Sequence, residues 1–178
     1  MPKSLPTISI VIATLNAKRV LPLCLEAIKG QRYPKAKIEF CFGDGGSNDG
    51  TQALIRAALR GWRYRIGDNT KLKTGEAGKA VGFHLAHGTY IALIDSDNIL
   101  PSRDWLKRMI EPLEADQRLI GSEPIEYTYR PSDPPLTRYC ALMGMNDPLV
   151  YFLGNYDRKN VLSGKWTEAP VKEITNDK

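Results

Sequence analysis

The sequence predicts an α/β fold: a mostly parallel sheet flanked by helices, in three layers α/β/α. Three observations carry this. Short β-branched and apolar runs alternate with longer segments whose apolar residues recur at helical spacing. Glycine, aspartate and asparagine gather where the short runs end. One run, Tyr90-Ile91-Ala92-Leu93-Ile94, is almost wholly apolar and stops abruptly at Asp95-Ser96-Asp97-Asn98. Such a run reads as a parallel strand buried on both faces. Open α/β sheets bind ligands beyond the C-terminal ends of their strands, so these aspartates are candidate site residues.

Each element has its own warrant. Ile8-Ser9-Ile10-Val11-Ile12-Ala13 is β-branched and apolar, a central strand ended by Thr14-Leu15-Asn16. A helix follows over about 18–29, with Val20, Leu21, Cys24, Leu25 and Ile28 on one stripe. Pro22 is tolerable there because it lies in the first turn. Ile38-Glu39-Phe40-Cys41-Phe42 is the second strand. It enters a loop containing Gly43, Gly45, Gly46 and Gly50, where the backbone can approach a ligand closely. Ser47, Asn48, Asp49 and Thr51 are candidate caps for the next helix, whose apolar face is Leu54, Ile55, Ala58 and Leu59. Asp44 stands at a strand end, on the same rim as Asp95.

Residues 62–66 form a third strand, and 67–75 a loop carrying Lys71 and Lys73. A helix over about 76–87 comes next, with Gly88 expected at its C′ position. Lys79 lies near its start, and a helix N-terminus with a nearby lysine suits an anion. On local grounds alone, a solvated surface lysine fits equally well. After the Asp-Ser-Asp strand, 101–115 reads as a helix that Pro112 should kink or end early. Residues 119–122 and 125–129 look extended, and 130–135 an exposed loop. Residues 139–154 are the most apolar stretch of the second half, interrupted by Asp147-Pro148. Core, a partner surface and an interfacial segment meeting lipid all remain open for it.

Composition narrows the classes. The chain has 178 residues with 42% hydrophobic and 25% charged, ordinary for a globular protein. Its 3 cysteines have no metal-ligand spacing and suggest no disulfide framework, so a reducing cytoplasmic setting is expected. The 2 histidines, His84 and His87, read as a solvated helix face. A net charge of +5 favours anionic partners: phosphate-bearing substrates, nucleic acid or an anionic membrane surface. The basic residues are scattered without interleaved aromatics, which argues against nucleic acid. No run reaches the roughly 18 apolar residues of a membrane span, and the N-terminus lacks a signal-peptide core.

Two aspartates one residue apart can put oxygens on one hard divalent cation, which also suits a substrate phosphate. Taken alone, Asp95-Ser96-Asp97-Asn98 is equally ordinary turn chemistry. The wider pattern adds specificity. The segments Ile8–Asn16, Asp44-Gly45-Gly46-Ser47-Asn48-Asp49-Gly50-Thr51, Gly78-Lys79-Ala80-Val81-Gly82, Ala86-His87-Gly88-Thr89-Tyr90-Ile91 and Asp95-Ser96-Asp97 occur in order over roughly the first 110 residues. In them the chain resembles the N-terminal, nucleotide-sugar-binding part of family 2 glycosyltransferases, which have the GT-A (Rossmann-like) fold.

The resemblance implies an inverting enzyme that moves a sugar from a nucleotide-diphosphate donor, of UDP or GDP type, to an acceptor hydroxyl. UDP is the more frequent base in the family. Ala13, Thr14 and Asn16 would line the nucleotide pocket, and Asp44 would contact the base or ribose. Lys79 would meet the diphosphate. Asp95, Ser96 and Asp97 would be the DXD motif, with Asp95 and Asp97 on Mg2+ or Mn2+. Gly45 stands where the family often has a second aspartate, and Ala80 where an asparagine is frequent. The implied domains are a nucleotide-sugar-binding core over 1–130 and an incomplete acceptor-side region over 131–178, as in a truncated chain or one part of a larger enzyme. The catalytic base has no recognisable motif; Asp147, Asp157 and Glu168 are the available carboxylates. The acceptor is expected to be a glycan or lipid-linked, with peripheral association at the inner membrane face. The alternatives are a nucleotide-sugar-binding module without turnover of its own, and a nucleotidyltransferase. The latter's Gly-rich, basic loop is missing after the first strand.

Overall fold

In the computed structural model, residues 4–124 and 129–143 are described. The chain divides into two compact units, Met1–Ile120 and Gly121–Lys178. The first holds four parallel strands in the order β3-β2-β1-β4: β1 (Ile8–Thr14), β2 (Ile38–Asp44), β3 (Arg63–Asp68) and β4 (Tyr90–Leu93). Its helices are α1 (Leu21–Lys29), α2 (Thr51–Ala58), α3 (Gly75–Leu85) and α4 (Trp105–Ala115). The described part of the second unit contains α5 (Pro135–Leu142) and an Arg130–Asp133 ion pair at 2.8 Å.

The two faces of the sheet differ. Alternate side chains of a strand point to opposite faces. Ile8, Ile10 and Ile12 of β1 and Ile38, Phe40 and Phe42 of β2 share one face. They form one core with Leu21, Cys24, Leu25 and Ile28 of α1, Ile55 of α2, and Leu106 and Ile110 of α4. Phe40 meets Phe42 and Trp62 at ring-centroid distances of 6.2 and 5.7 Å. On the other face α3 lies almost directly on backbone. A Cβ at Gly43 would stand 2.0 Å from the Gly78 carbonyl oxygen, and one at Gly82 would stand 2.9 Å from that of Cys41. Only glycine allows this approach.

Under the end of α3 sits a buried polar cluster. The Glu39 carboxylate accepts hydrogen bonds from Ser9 Oγ at 2.6 Å, the His87 N–H at 2.6 Å and Arg65 at 2.6 Å. Burial opposes its charge. The hydrogen bonds from Ser9, His87 and Arg65, with the charge of Arg65, outweigh that and hold it down at about 2.

Several expectations are corrected. The apolar run at β4 is not buried on both faces: Ile91 is 36% and Leu93 58% exposed. Among the described residues β4 has a single strand neighbour, and α3 packs over β1, β2 and β3 instead. The third helix ends at Leu85 with Ala86 extended, so Gly88 is not its C′ residue and His87 lies beyond it. Gly88 serves close packing instead, because a Cβ there would fall 2.5 Å from the Ser9 nitrogen. α1 starts at Leu21, after a turn whose Leu21 N–H donates to Ala17 O at 2.9 Å. α4 starts at Trp105 and runs through Pro112 to Ala115. Proline in the last turn removes only one internal hydrogen bond, which the helix tolerates. Residues 119–122 form no strand, and 125–128 lie outside the described residues.

Candidate active site

Parallel register sets Thr14, Asp44 and Asp68 abreast at the C-terminal ends of β1, β2 and β3. The Ile94 N–H donates to Val11 O at 3.0 Å, which carries the chain after β4 to the same rim at Asp95. The site residues expected at strand ends therefore share one edge of the sheet.

Asp44 is 1% exposed, and its carboxylate is fully engaged. One oxygen accepts the Gly46 N–H at 3.1 Å, the Ser47 N–H at 2.9 Å and the Gln52 amide at 2.9 Å. The other accepts Thr14 Oγ1 at 2.7 Å and Ser47 Oγ at 2.7 Å. Burial alone would raise its pKa, but hydrogen bonds from Gln52, Ser47 and Thr14 hold it below the usual carboxylate range. The loop that Asp44 ties down is stitched to the end of β1. The Asn16 N–H donates to Ser47 Oγ at 2.9 Å, the Asn48 N–H to Asn16 Oδ1 at 3.0 Å, and the Lys18 N–H to Asp49 at 3.0 Å. Gly46 has φ 85°, which an L side chain rarely adopts.

The approach of α3 to the sheet places Lys79. Gly78 sits over Ala13 and Gly43, with room for no Cβ. The next residue, Lys79, reaches Asp95 at 2.7 Å. Their side chains are 33% and 58% exposed, so the pair is worth about 1 kcal/mol or less. The Asn98 N–H donates to Asp95 O at 3.0 Å, closing the Asp-Ser-Asp turn. Asp97 is exposed as well, and Ser96 is half-buried.

Beneath this turn lies Cys24 of α1, whose thiol donates to Asp95 O at 3.6 Å. Burial, then the charges of Asp97 and Asp95, push the thiol up to about 12. It is therefore a neutral core group at ordinary pH.

Among the described residues, no three His, Cys, Asp or Glu side chains converge on one point. The rim nonetheless fits a hard divalent cation. Mg2+ is commonly held by one or two carboxylates, with waters and substrate phosphate supplying the other oxygens. Asp95 and Asp97 are two exposed carboxylates of that kind.

The site residues read from the sequence thus fall in two groups: Thr14, Asn16 and Asp44 in one network, and Lys79 with Asp95 in another, with Asp97 in the same turn. Asp147, Asp157 and Glu168 lie outside the described residues. Sequence reasoning missed Gln52, one residue into α2 and facing back to Asp44. It also missed Asp68, which ends β3 as Asp44 ends β2; the same strand-end rule finds it. One cavity, about 240 Å³, lies elsewhere, between Pro6, Tyr33 and Ile110 at the N-terminal ends of the strands. Another, about 220 Å³, touches Lys79, Phe83 and Leu93.

The geometry has counterparts among known proteins. The glycosyl transferase family 2 model matches residues 9–167. Glycosyltransferase AglE of Haloferax volcanii is 28% identical over 147 residues, which are 82% of this chain and 48% of that protein. Glycosyltransferase GlyG of Streptococcus pneumoniae is 30% identical over 129 residues, 71% of this chain and 41% of that protein. The chain thus spans less than half the length of these relatives. Among solved structures, a mannosyltransferase from Pyrobaculum calidifontis in complex with GDP-Man and Mn2+ is similar with a TM-score of 0.59 at 22% identity. The match covers 80% of this chain and 40% of that one. TarS of S. aureus in complex with UDP-GlcNAc has a TM-score of 0.53 at 19% identity, over 61% of this chain and 31% of that one. These likenesses show the fold, which is GT-A. With the family model matching most of its length, the chain belongs to glycosyl transferase family 2.

Proposed function

We propose that this chain is the donor-binding part of an inverting glycosyltransferase that uses a UDP- or GDP-sugar and a divalent metal. The observation that carries this is the Lys79–Asp95 pair at 2.7 Å, in one turn with Asp97, at the C-terminal rim of a parallel sheet. It brings a cation and two carboxylates to the place where such sheets bind ligands. The solved relatives holding GDP-Man with Mn2+ and UDP-GlcNAc support the donor class.

Asp95 and Asp97 would hold Mg2+ or Mn2+, and Ser96 sets the turn between them. The cation, when bound, neutralises charge on the departing nucleoside diphosphate. Lys79 exchanges Asp95 for the diphosphate oxygens at little cost, because the exposed pair is weak. Thr14, Ala13 and Asn16 line the nucleoside side of the site, and Asp44 fixes the loop against which it lies. Inversion requires an acceptor oxygen to attack the anomeric carbon opposite the leaving phosphate, with a base to take its proton. Asp147, Asp157 and Glu168 are the candidates for that base. A glycan or lipid-linked acceptor at the cytoplasmic membrane face is consistent with the net charge of +5 and the apolar 139–154 segment. Among the described residues no helix is long and apolar enough to cross a membrane.

Calorimetric titration with UDP and GDP, in Mn2+ and then in EDTA, tests the donor site. Metal-dependent binding of one nucleotide supports it; no binding by the folded chain in either condition argues against it. A second reading rests on the relatives' length: the chain spans 48% of one and 41% of the other. In that reading it binds the donor but needs further residues for turnover, and sugar transfer by the isolated chain would exclude it.

A further inference from the structure

The donor site needs a group that reads the base, and the rim has one acceptor placed for it. A carboxylate offers about four lone-pair sites. Asp44 already takes five protein donors and is 1% exposed, so it has none to offer a ligand. Thr14 spends its hydroxyl hydrogen on Asp44. Asp95 is paired with Lys79 at the far end of the rim. The remaining residue of the row is Asp68.

Asp68 is exposed and held in one orientation. One oxygen accepts the Thr70 N–H at 3.1 Å and the other accepts Thr70 Oγ1 at 3.0 Å. Each oxygen keeps a second lone-pair site. The Asn69 N–H donates to Asp44 O at 2.8 Å, which extends the parallel β2–β3 ladder by one bond beyond Asp68. Thr70 then lies 3.0 Å from the place of a Gly46 Cβ. On the other side of that loop the Leu15 side chain, 46% exposed, lies 3.2 Å from the place of a Gly45 Cβ. Gly45 is buried beneath Leu15 and Gly46 is exposed, so side-chain-free backbone at Gly46 lies between the apolar Leu15 side chain and the fixed carboxylate. From β3 to β4 is three strand spacings, roughly 14 Å. A nucleoside diphosphate laid along the rim spans such a distance from base to phosphate.

We propose that Asp68 reads the nucleobase, with the base lying over Gly46 against Leu15. This rests on the donor-site reading above. A carboxylate only accepts, so one that faces the ring nitrogen of the pairing edge selects a base with an N–H at that position. Uracil (N3–H) and guanine (N1–H) have it; cytosine presents the N3 lone pair there and a donor only at its exocyclic N4. Removing one partner of such a contact leaves a polar group unpaired and reverses selectivity instead of merely weakening binding.

The test is calorimetry of the whole chain with UDP, GDP and CDP in Mn2+. The expected result is a preference of about tenfold or more for UDP or GDP over CDP. Asp68→Asn, whose amide can donate to cytosine N3, lowers that preference about tenfold by weakening the favoured nucleotide and strengthening CDP. Asp97→Ala weakens all three alike. An unchanged base preference in Asp68→Asn, with metal-dependent binding intact, overturns the role of Asp68 and leaves the donor site standing. Absence of metal-dependent binding in the folded wild-type chain overturns both.

Discussion

The sheet has a thick face and a thin one. Under α1, α2 and α4, Phe40, Phe42 and the isoleucines of β1 and β2 fill a deep apolar layer. Under α3 the contacts are glycine on backbone, with Val11, Cys41 and a charged cluster between them. Apolar area removed from water stabilises at roughly 25 cal/mol per Å², so the thick face carries most of the stability. The thin face buries less but positions more. Because Gly43, Gly78 and Gly82 leave no slack, the rim end of α3 is fixed and Lys79 reaches Asp95. Stability and site geometry thus reside on opposite sides of the same strands.

The largest expected effect breaks the thick face. Phe40→Ala should cost about 3–5 kcal/mol in chemical denaturation. The fraction that stays folded should bind nucleotide with affinity within about twofold of wild type, because Phe40 is a fully buried core residue four positions before Asp44 on β2. Next comes the charge on the thin face. The Glu39 carboxyl titrates at about 2 when folded against 4.5 for the ordinary group. A lowered folded pKa gives stability that is complete above 4.5 and lost as pH falls toward 2, here about 3 kcal/mol. Denaturation midpoints between pH 5 and 2 should show that slope, and Glu39→Gln should flatten it.

Gly78→Ala sharpens the comparison. Its Cβ would stand 2.8 Å from that of Ala13 and 3.0 Å from Gly43 O. The expected loss is about 1–3 kcal/mol, less than for Phe40→Ala. Nucleotide affinity should nevertheless fall about tenfold as α3 and Lys79 lift from the rim. If Gly78→Ala leaves affinity unchanged while lowering stability, the thin face is only packing. The smallest effect is on β4. Leu93 is 58% exposed, so Leu93→Ser should change the chain's stability by about 0.5 kcal/mol or less.

Strand and helix order were readable because β-branched runs and helical stripes are local signals. The position of the Asp44 loop and the Asp95 turn at strand ends was readable because apolar runs stop abruptly at glycine and aspartate there. What could not be read depends on neighbours far along the chain. Tyr90 to Ile94 looks doubly buried, yet exposure of Ile91 and Leu93 is decided by where α3 lies. Gly88 resembles a helix stop, and only its approach to Ser9 reveals a packing role. The saturation of Asp44 depends on Thr14 and Gln52, which no spacing rule connects to it. Pro112 signals a helix end, but the helix keeps going to Ala115 because little of it remains to be disrupted.

The proposed diphosphate site is the Asp95–Asp97 turn with Lys79 beside it, and its affinity is expected to depend on metal. The most direct measurement is the affinity of wild type and Asp97→Ala for the preferred nucleoside diphosphate at saturating Mn2+. A loss of about tenfold or more is expected in the variant, with no change in thermal midpoint, because Asp97 is exposed. Equal affinity of the two proteins would contradict it.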